Sequence, residues 1–278
     1  MVLEFEKRFR YQLSEEDKIE TLSGGLYRAQ DLELGRTVAI KQVNITGENP
    51  SQRQANYEKA RSEVQALLRI GDESVRVPKV YTTHYSEEGV FYIVMEWIYG
   101  ETLEKKANCN ERQFLRYMDD LCYILSRMEQ KRLYHKDIKP QNLMITPDDR
   151  LYLIDFNISI STPNHMEGTL HYQAPEMTDQ LQYMGREKVD MFAIGVMLYE
   201  HFTGAVPVRG QDYARIHRRG PANWDRFIEP KEKNPQISDE LNEIIVRCMK
   251  LDPKQRYGRI GELKAKLREA GRNIGRSR

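Results

Sequence analysis

The first third of the chain has the pattern of hydrophobic and polar residues that is typical of short strands. Residues 37–43 are rich in β-branched and apolar side chains, and Leu34-Gly35-Arg36 in front of them suits a hairpin turn. Residues 91–95 form a second apolar run of strand length. The pattern therefore predicts a strand-rich region from about Tyr11 to Glu96.

One helix is predicted to interrupt these strands. Ala60, Val64 and Leu67 recur at the spacing of one helical face within residues 54–70. Gly71 follows this segment and is typical of the position at which a helix ends.

Later in the chain the apolar positions take the period of helices. Leu115, Met118 and Cys122 lie on one face of a long predicted helix, and the residues near Leu143 and Leu153 predict two short strands. Further helices are predicted over residues 189–202, 239–251 and 260–270. The pattern thus divides the chain into a strand-rich first third and a helical remainder.

The composition is that of an ordinary soluble globular protein. The chain has 278 residues, of which 40% are hydrophobic and 31% charged, and its formal net charge is +1. A net charge so close to zero gives no overall attraction to nucleic acid or to anionic lipid. No nucleic-acid partner is therefore expected.

The spacing of the cysteines and the length of the apolar runs indicate the cellular compartment of the chain. Cys109, Cys122 and Cys248 are widely spaced without a CxxC pair, which argues against a disulfide framework and a structural zinc site. The longest apolar run, residues 191–199, is far below the roughly 20 residues of a membrane span. Residues 1–11 are too charged for a signal peptide. We expect reduced thiols, a cytoplasmic location and no membrane span in this chain.

Three short strings contain the polar groups needed to hold Mg-ATP and to move its terminal phosphate. They are Val38-Ala39-Ile40-Lys41, HKDIKPQN at residues 135–142, and Ile154-Asp155-Phe156-Asn157. Phosphoryl transfer needs little covalent help from the protein, because positioning and nearby cations stabilise its loose transition state. Ala174-Pro175-Glu176 follows at a spacing that makes chance a poor explanation.

This order of motifs resembles the eukaryotic-type (Hanks-type) protein kinase family from roughly Ile19 to Tyr257, as a compact bacterial-like member. The resemblance implies an α+β, bilobal fold. Residues 1–96 would form a small lobe of antiparallel sheet with one main helix. Residues 97–278 would form a larger, mostly helical lobe that contains the catalytic loop and the activation segment.

The resemblance implies that Lys41 contacts the α- and β-phosphates and is held by a helix-borne acid. Glu63 is the predicted partner, because Glu63-Val64-Gln65-Ala66-Leu67 resembles the helix motif of the family. Glu58 lies in a poorer apolar context, and the alternative for Glu63 itself is a solvated helix face.

The second and third strings would supply the catalytic loop and the metal ligands. Asp137 resembles the aspartate that accepts the proton of the substrate hydroxyl, and Lys139 would contact the transferring phosphate. Asn142 and Asp155 resemble the two ligands of Mg²⁺, with Mn²⁺ as an alternative ion; such oxygen ligands suit magnesium.

Further residues resemble those that hold the family fold together. Glu176 is predicted to form a buried ion pair with Arg256, and Asp190 to anchor the backbone of the catalytic loop. His135 and Phe156 are expected to have packing roles, since no second His or Cys lies at the spacing of a metal site.

An adenine pocket is also implied by the resemblance. The cofactor-binding residues comprise two backbone positions, Glu96 and Ile98, together with Gly24 in the nucleotide-covering loop and Lys41. The apolar lining would come from Leu26, Ala39, Met95 and Met144.

The chain departs from the family pattern at three places. Residues 19–26 align with the glycine-rich loop, but only Gly24 falls on a family glycine, which predicts looser ATP binding. Asn157 replaces the usual glycine and is expected to restrict the Asp155-Phe156 pair. Lys136 replaces an arginine, so a phosphate on the activation segment would meet a point charge.

Three other stretches allow two interpretations each. Ser159, Ser161 and Thr162 are candidate autophosphorylation sites or unmodified loop hydroxyls. Residues 215–219 are solvated surface or a dock for an acidic substrate. Residues 264–278 are solvated surface or the start of a juxtamembrane linker.

Three functions compete on these grounds. Lys139 and Gly168-Thr169 resemble the serine/threonine branch, which implies γ-phosphate transfer from Mg-ATP to a Ser or Thr hydroxyl of a protein substrate, with self-association for autophosphorylation as an option. A pseudokinase scaffold is the alternative, suggested by the degenerate glycine loop and Asn157. A small-molecule kinase is disfavoured, because that class generally lacks the Ala174-Pro175-Glu176 platform.

Overall fold

The computed structural model describes residues 2–5, 9–14, 16, 18–21, 24–71, 73–106, 109–156, 171–177, 188–207 and 227–274. The chain divides into two compact units. Unit 1 consists of the residues up to Glu73 together with Val77–Tyr99. Unit 2 consists of Ser74–Arg76 and the described residues from Gly100 onward.

Unit 1 contains an antiparallel sheet in the order β1-β2-β4-β5-β7-β6, with β3 paired to β4. The strands are β1 (Val2–Phe5), β2 (Phe9–Leu13), β3 (Ile19–Thr21), β4 (Gly24–Asp31), β5 (Arg36–Asn44), β6 (Val80–Tyr85) and β7 (Val90–Glu96). The strands predicted over residues 37–43 and 91–95 are confirmed as the centres of β5 and β7.

The turn between β4 and β5 is built by one buried carboxylate and one glycine. Asp31 Oδ1 accepts hydrogen bonds from the backbone N–H groups of Glu33 and Leu34, each at 3.1 Å. Gly35 follows with φ of +63°, a conformation that favours glycine. This turn sets the register in which β5 presents Lys41.

One face of the sheet packs against helix α1 (Pro50–Ile70). The Asn49 side chain caps the first turn of α1 by accepting the Gln52 N–H, and Gly71 ends the helix in the left-handed conformation. Ala60 and Val64 of α1 join the hydrophobic cluster that also contains Leu26, Ala39, Ile93 and Met95. The predicted helix is confirmed and begins four residues earlier than the pattern indicated.

The opposite face of the sheet encloses a second hydrophobic cluster, which includes Val38, Ile40 and Tyr92. The sheet curls so far that Phe5 of β1 stacks on His84 of β6, the strand at the other edge, with ring centroids 4.2 Å apart. The pattern of residues did not predict β1, because a four-residue strand with three apolar side chains and one polar side chain shows no clear alternation.

Unit 2 contains a three-stranded sheet in the order β10-β9-β8 and a group of helices. Its elements are β8 (Glu101–Thr102), α2 (Glu111–Gln130), β9 (Leu143–Ile145), β10 (Leu151–Leu153), α3 (Val189–Thr203), α4 (Pro230–Lys233), α5 (Asp239–Cys248) and α6 (Ile260–Ile274), with single 3₁₀ turns at Pro140–Asn142, Pro175–Met177 and Pro253–Gln255.

Helix α3 is apolar on almost every side and lies in the core of unit 2. Helix α2 is amphipathic and buries one face. The predicted helices are confirmed, although α5 ends three residues earlier than expected, with Met249 as its C-cap. Within the described ranges, no helix combines the length and apolar character that a membrane span requires.

Candidate active site

Unit 1 presents a buried lysine and glutamate pair. Lys41 lies on β5, opposite Leu26 of β4 and Ile93 of β7. Its Nζ is 2.8 Å from Oε1 and 2.9 Å from Oε2 of Glu63 on α1. Their side chains are only 9% and 7% exposed. The double contact fixes the ammonium at the surface of the sheet.

Glu58, the other acid considered for this role, has different partners. It accepts a hydrogen bond from Gln54 and lies 3.8 Å from Arg61, both on the exposed side of α1. The structure thus brings Lys41 together with Glu63, the acid that the helix motif indicated, and not with Glu58.

Three residues of the predicted catalytic loop lie together in unit 2. Asp137 Oδ2 is 2.9 Å from Lys139 Nζ and accepts a hydrogen bond of 3.1 Å from Asn142 Nδ2. Asn142 Nδ2 also donates to the backbone carbonyl of Asp137 at 2.8 Å. The loop is therefore closed on itself, and its carboxylate is held by one cation and one amide.

Asp155 comes directly after Ile154, which forms a backbone hydrogen bond with the catalytic loop. The N–H of Ile154 donates to the carbonyl of Asn142 at 2.9 Å, which brings the chain of Asp155 close to Asn142. Both donors of the Asn142 amide face Asp137, so its oxygen Oδ1 points away from that residue. An amide oxygen and a carboxylate are hard ligands that fit Mg²⁺, which usually keeps several waters.

Two residues around this loop have backbone conformations that are uncommon for side chains other than glycine. Lys136 has φ of +65° and Asp155 has φ of +60°. Such conformations cost free energy, and they persist where contacts with the surrounding structure hold the backbone in place.

Asp190 at the start of α3 supplies that constraint at Lys136. Its carboxylate accepts the N–H of His135 at 2.8 Å and the N–H of Lys136 at 2.7 Å. Burial raises the pKa of Asp190, and the neighbouring His135 and Lys136 act in the opposite direction. The predicted anchoring of the catalytic loop by Asp190 is confirmed.

His135 and Phe156 pack against each other, as predicted. Their ring centroids are 5.0 Å apart at an angle of 70°, and both side chains are buried. His135 Nε2 is also 3.3 Å from the carbonyl of Ile154, which ties the catalytic loop to the residue before Asp155.

The predicted ion pair between Glu176 and Arg256 is confirmed. Arg256 Nη1 and Nη2 lie 2.6 Å and 2.9 Å from the two carboxylate oxygens of Glu176. The guanidinium also donates to the carbonyls of Lys250 and Lys188 and lies over the ring of Phe192. This buried bidentate pair holds segment 171–177 to the helical core of unit 2.

A second anchor of the same segment was not predicted. The hydroxyl of Tyr172 donates to Glu200 Oε2 of α3 at 2.6 Å. Burial and this hydrogen bond raise the pKa of Tyr172 well above its ordinary value. Glu200 directly follows the apolar run of residues 191–199, but nothing in the sequence indicates Tyr172 as its partner.

The residues predicted for the adenine pocket fall in both units. Leu26, Ala39 and Met95 pack in one cluster of unit 1. Ile98 is buried and also belongs to unit 1, whereas Met144 lies on β9 of unit 2. The N–H of Glu96 donates to the carbonyl of Lys79 at 2.8 Å, so the predicted purine contact of Glu96 would use its carbonyl rather than its N–H.

Gly24 has a structural reason to be glycine. A Cβ atom at this position would lie 2.2 Å from the carbonyl oxygen of Gln42 on the neighbouring strand. The close approach of β4 to β5 therefore requires glycine, whatever Gly24 contributes to phosphate binding.

Several predictions concern positions that the structure does not describe. They are the contribution of Leu22 and Ser23 to the nucleotide-covering loop, the effect of Asn157, phosphorylation at Ser159, Ser161 or Thr162, the Gly168-Thr169 platform, and the basic stretch at residues 215–219.

Comparison with known proteins adds independent information. The family model described as protein kinase domain matches residues 22–266. A probable serine/threonine-protein kinase of Clostridium acetobutylicum is 29% identical over 95% of this chain and 40% of its own length. Serine/threonine-protein kinase PrkC of Bacillus subtilis is 26% identical over 94% of this chain and 40% of its own length.

Serine/threonine-protein kinase PknB of Mycobacterium leprae is 27% identical over 87% of this chain and 40% of its own length. The chain thus spans about two fifths of the length of these relatives. The family match extends over most of the chain and over both units described above. On this basis, the chain belongs to the protein kinase domain family.

Proposed function

We propose that the chain is a serine/threonine protein kinase that transfers the γ-phosphate of Mg-ATP to protein hydroxyls. The observation that supports this most directly is the arrangement of Asp137, Lys139 and Asn142 within hydrogen-bond distance of one another. The names of the bacterial relatives agree with this class of reaction.

Asp137 is the proposed acceptor of the hydroxyl proton. Within the part of the chain that the structure describes, both side-chain contacts of Asp137 fall on Oδ2, so Oδ1 is the oxygen suited to meet the Ser or Thr hydroxyl. The hydroxyl oxygen forms a bond to the γ-phosphorus while the bond from that phosphorus to the β–γ bridging oxygen breaks. ADP leaves, and the proton passes to Asp137 and then to solvent.

The remaining site residues bind and neutralise charge. Asn142 and Asp155 would hold Mg²⁺, which when bound neutralises phosphate charge in the transition state. Lys139 would contact the transferring phosphate, and Lys41, fixed by Glu63, would contact the α- and β-phosphates. Mn²⁺ would suit the same oxygen ligands.

A protein is the proposed acceptor. Segment 171–177 is tied to the core by Arg256 and by Glu200, which suits a rigid platform for a peptide. Autophosphorylation between two copies is part of the same proposal. We place this activity in the cytoplasm, because the chain has three unpaired cysteines and the reaction needs ATP.

Incubation of the purified chain with labelled ATP, Mg²⁺ and a generic acceptor protein tests the proposal. Mass spectrometry is expected to find phosphate on Ser or Thr. Asp137→Asn should lower the rate by about 10²- to 10⁴-fold while leaving nucleotide affinity largely intact. Asp155→Ala should abolish transfer by removing a metal ligand.

An unchanged rate in Asp137→Asn would contradict the assigned mechanism. Binding of ADP without any transfer to protein would instead favour the scaffold function. Phosphate on a small molecule alone would contradict the protein acceptor.

A further inference from the structure

A group of three side chains in unit 1 has no role in the assignments above. The guanidinium of Arg28 lies over the ring of Trp97, 6.0 Å from its centroid, and over the ring of Tyr99, 5.8 Å from its centroid. We call Arg28, Trp97 and Tyr99 the Arg28 cluster. A cation is attracted to the face of an aromatic ring at such distances, because the ring face is electronegative.

The sheet register places this cluster next to the proposed adenine site. Arg28 on β4 is directly opposite Ala39 on β5, and Ala39 is directly opposite Met95 on β7. Leu26 lies two residues before Arg28 and therefore on the same face of the sheet. The row formed by Arg28, Ala39 and Met95 adjoins the row that contains Lys41.

The side chains in this row differ greatly in length. Alanine has a single methyl group, whereas Arg28 and Met95 on either side are long. We call the position of Ala39 in this row, where the side chain is shortest, the notch. Trp97 is half-buried and packs against the hydrophobic cluster that includes Ala39 and Met95. The Arg28 cluster thus links β4, on one side of Ala39, to residues 97–99, which follow β7 on the other side of Ala39.

We propose that the Arg28 cluster is a positioning device that sets nucleotide affinity. By holding β4 to segment 97–99, it fixes the width of the notch above Ala39 in which the purine ring would lie. This inference rests on the proposed function. In the kinase family a glycine-rich loop helps to hold the nucleotide, but here only Gly24 matches a family glycine. The inference is that the contacts of Arg28 on β4 with segment 97–99 supply part of this function.

The first test measures ADP binding by calorimetry in the presence of Mg²⁺. Arg28→Ala is expected to raise the Kd for ADP by about three- to tenfold, from the loss of two cation–aromatic contacts. The KM for ATP should rise in parallel, while kcat at saturating ATP changes by less than about twofold. Arg28→Lys should recover part of the loss, because it keeps the charge but not the planar group.

Arg36→Ala is the matched control. Arg36 lies on the same sheet, and its guanidinium is 3.7 Å from the ring centroid of Tyr81, a closer contact of the same kind. It has no contact with segment 97–99 among its described partners, which are Asp31 and Tyr81. The control removes a surface cation, an aromatic contact and the ion pair with Asp31 Oδ2, while the turn contacts of Asp31 Oδ1 remain, so its Kd for ADP should equal that of the parent.

A second variant, Tyr99→Ala, tests the same inference if Arg28→Ala does not fold. Tyr99 is 53% exposed, so Tyr99→Ala should fold normally. It should also weaken ADP binding, and the double variant should be weaker than the parent by less than the two separate losses combined. This shortfall is expected only if both residues act through one contact.

Two results would overturn the inference: equal Kd values in Arg28→Ala and Arg36→Ala, or full additivity of Arg28→Ala and Tyr99→Ala. Failure of the parent chain to bind ADP at all would instead remove the proposed function, so the two failures are distinguishable.

Discussion

At the scale of single residues, Lys41 and Glu63 illustrate how a functional charge is kept in a buried position. Both side chains are removed from water, and desolvation offsets much of their mutual attraction. Such a pair is therefore a weak source of net stability. Its value in the proposed kinase is that the ammonium has one fixed position.

This view predicts different stabilities for single and double variants. Lys41→Ala should lower the free energy of unfolding by about 3 to 5 kcal/mol, because it leaves the Glu63 carboxylate buried without its cation. Replacement of both residues, Lys41→Met with Glu63→Leu, should restore stability to within about 1 kcal/mol of the parent. Urea unfolding checks both values; a double variant as unstable as the single one would contradict it.

Single residues were predictable from sequence where the chemistry is local. Asp137, Lys139 and Asn142 stand within eight consecutive positions, so their association needs only one loop. The contacts of Arg28 with Trp97 and of Tyr172 with Glu200 depend on distant segments. No spacing along the chain indicates those pairs before the fold brings the segments together.

At the scale of elements, the contact between α3 and α5 depends on one glycine. A Cβ at Gly195 would lie 2.7 Å from Cys248 Cβ and from Met249 Cγ. Gly195→Ala should therefore destabilise unit 2 by about 1 to 3 kcal/mol, although alanine is the better helix former. Thermal unfolding measures the change.

Gly261→Ala is the control for helix propensity. Nothing lies within 4 Å of a Cβ built at Gly261, which is in the first turn of α6. This variant should be neutral or more stable by up to about 1 kcal/mol. Equal destabilisation of both variants would show that the α3–α5 contact is not the cause.

Strand β1 gives a second prediction at this scale. Phe5 stacks on His84 and lies 5.0 Å from the ring of Tyr92, so it closes the second core of unit 1. Phe5→Ala should reduce stability by about 1 to 3 kcal/mol. Val2→Ala, on the same strand but 52% exposed, should change it by less than about 0.5 kcal/mol. Similar losses in both variants, measured by urea unfolding, would contradict a closing role for Phe5.

Elements with a long periodic pattern were predicted well, and the shortest ones were not. Helix α2 has several turns of apolar spacing, and its existence was clear from sequence. Strand β1 has four residues, and its pairing with β2 gives it order that its own sequence cannot supply.

At the scale of the whole molecule, His201 links stability to pH. Its ring stacks on Phe114 with centroids 3.8 Å apart, and burial lowers the pKa of His201 from 6.5 to about 4. Between these values the unfolded chain binds the proton more strongly than the folded chain. Acidification through this range should therefore reduce stability.

His201→Phe isolates this contribution, because it keeps an aromatic ring and removes the titration. The difference in free energy of unfolding between parent and variant should change between pH 6.5 and about 4, with the parent losing more. The raised pKa of Asp190 acts in the opposite sense in both proteins and cancels in the difference. A difference that stays constant with pH would exclude His201 as the cause.

The overall architecture could be predicted only through the family resemblance. Alternation and helical period gave a strand-rich part followed by a helical part. The curl that brings β1 against β6 is a property of the complete sheet, in which twist accumulates over successive strands, and no single strand encodes it.

The two hydrogen bonds from the catalytic loop to Asp190 have a practical consequence. His135 and Lys136 lie outside helices and strands, where backbone amides usually exchange rapidly with deuterated solvent. Their N–H groups are bound to a carboxylate on a core helix, so they should exchange as slowly as that helix opens. Deuterium uptake at these two amides would therefore report the integrity of the loop without any substrate or nucleotide.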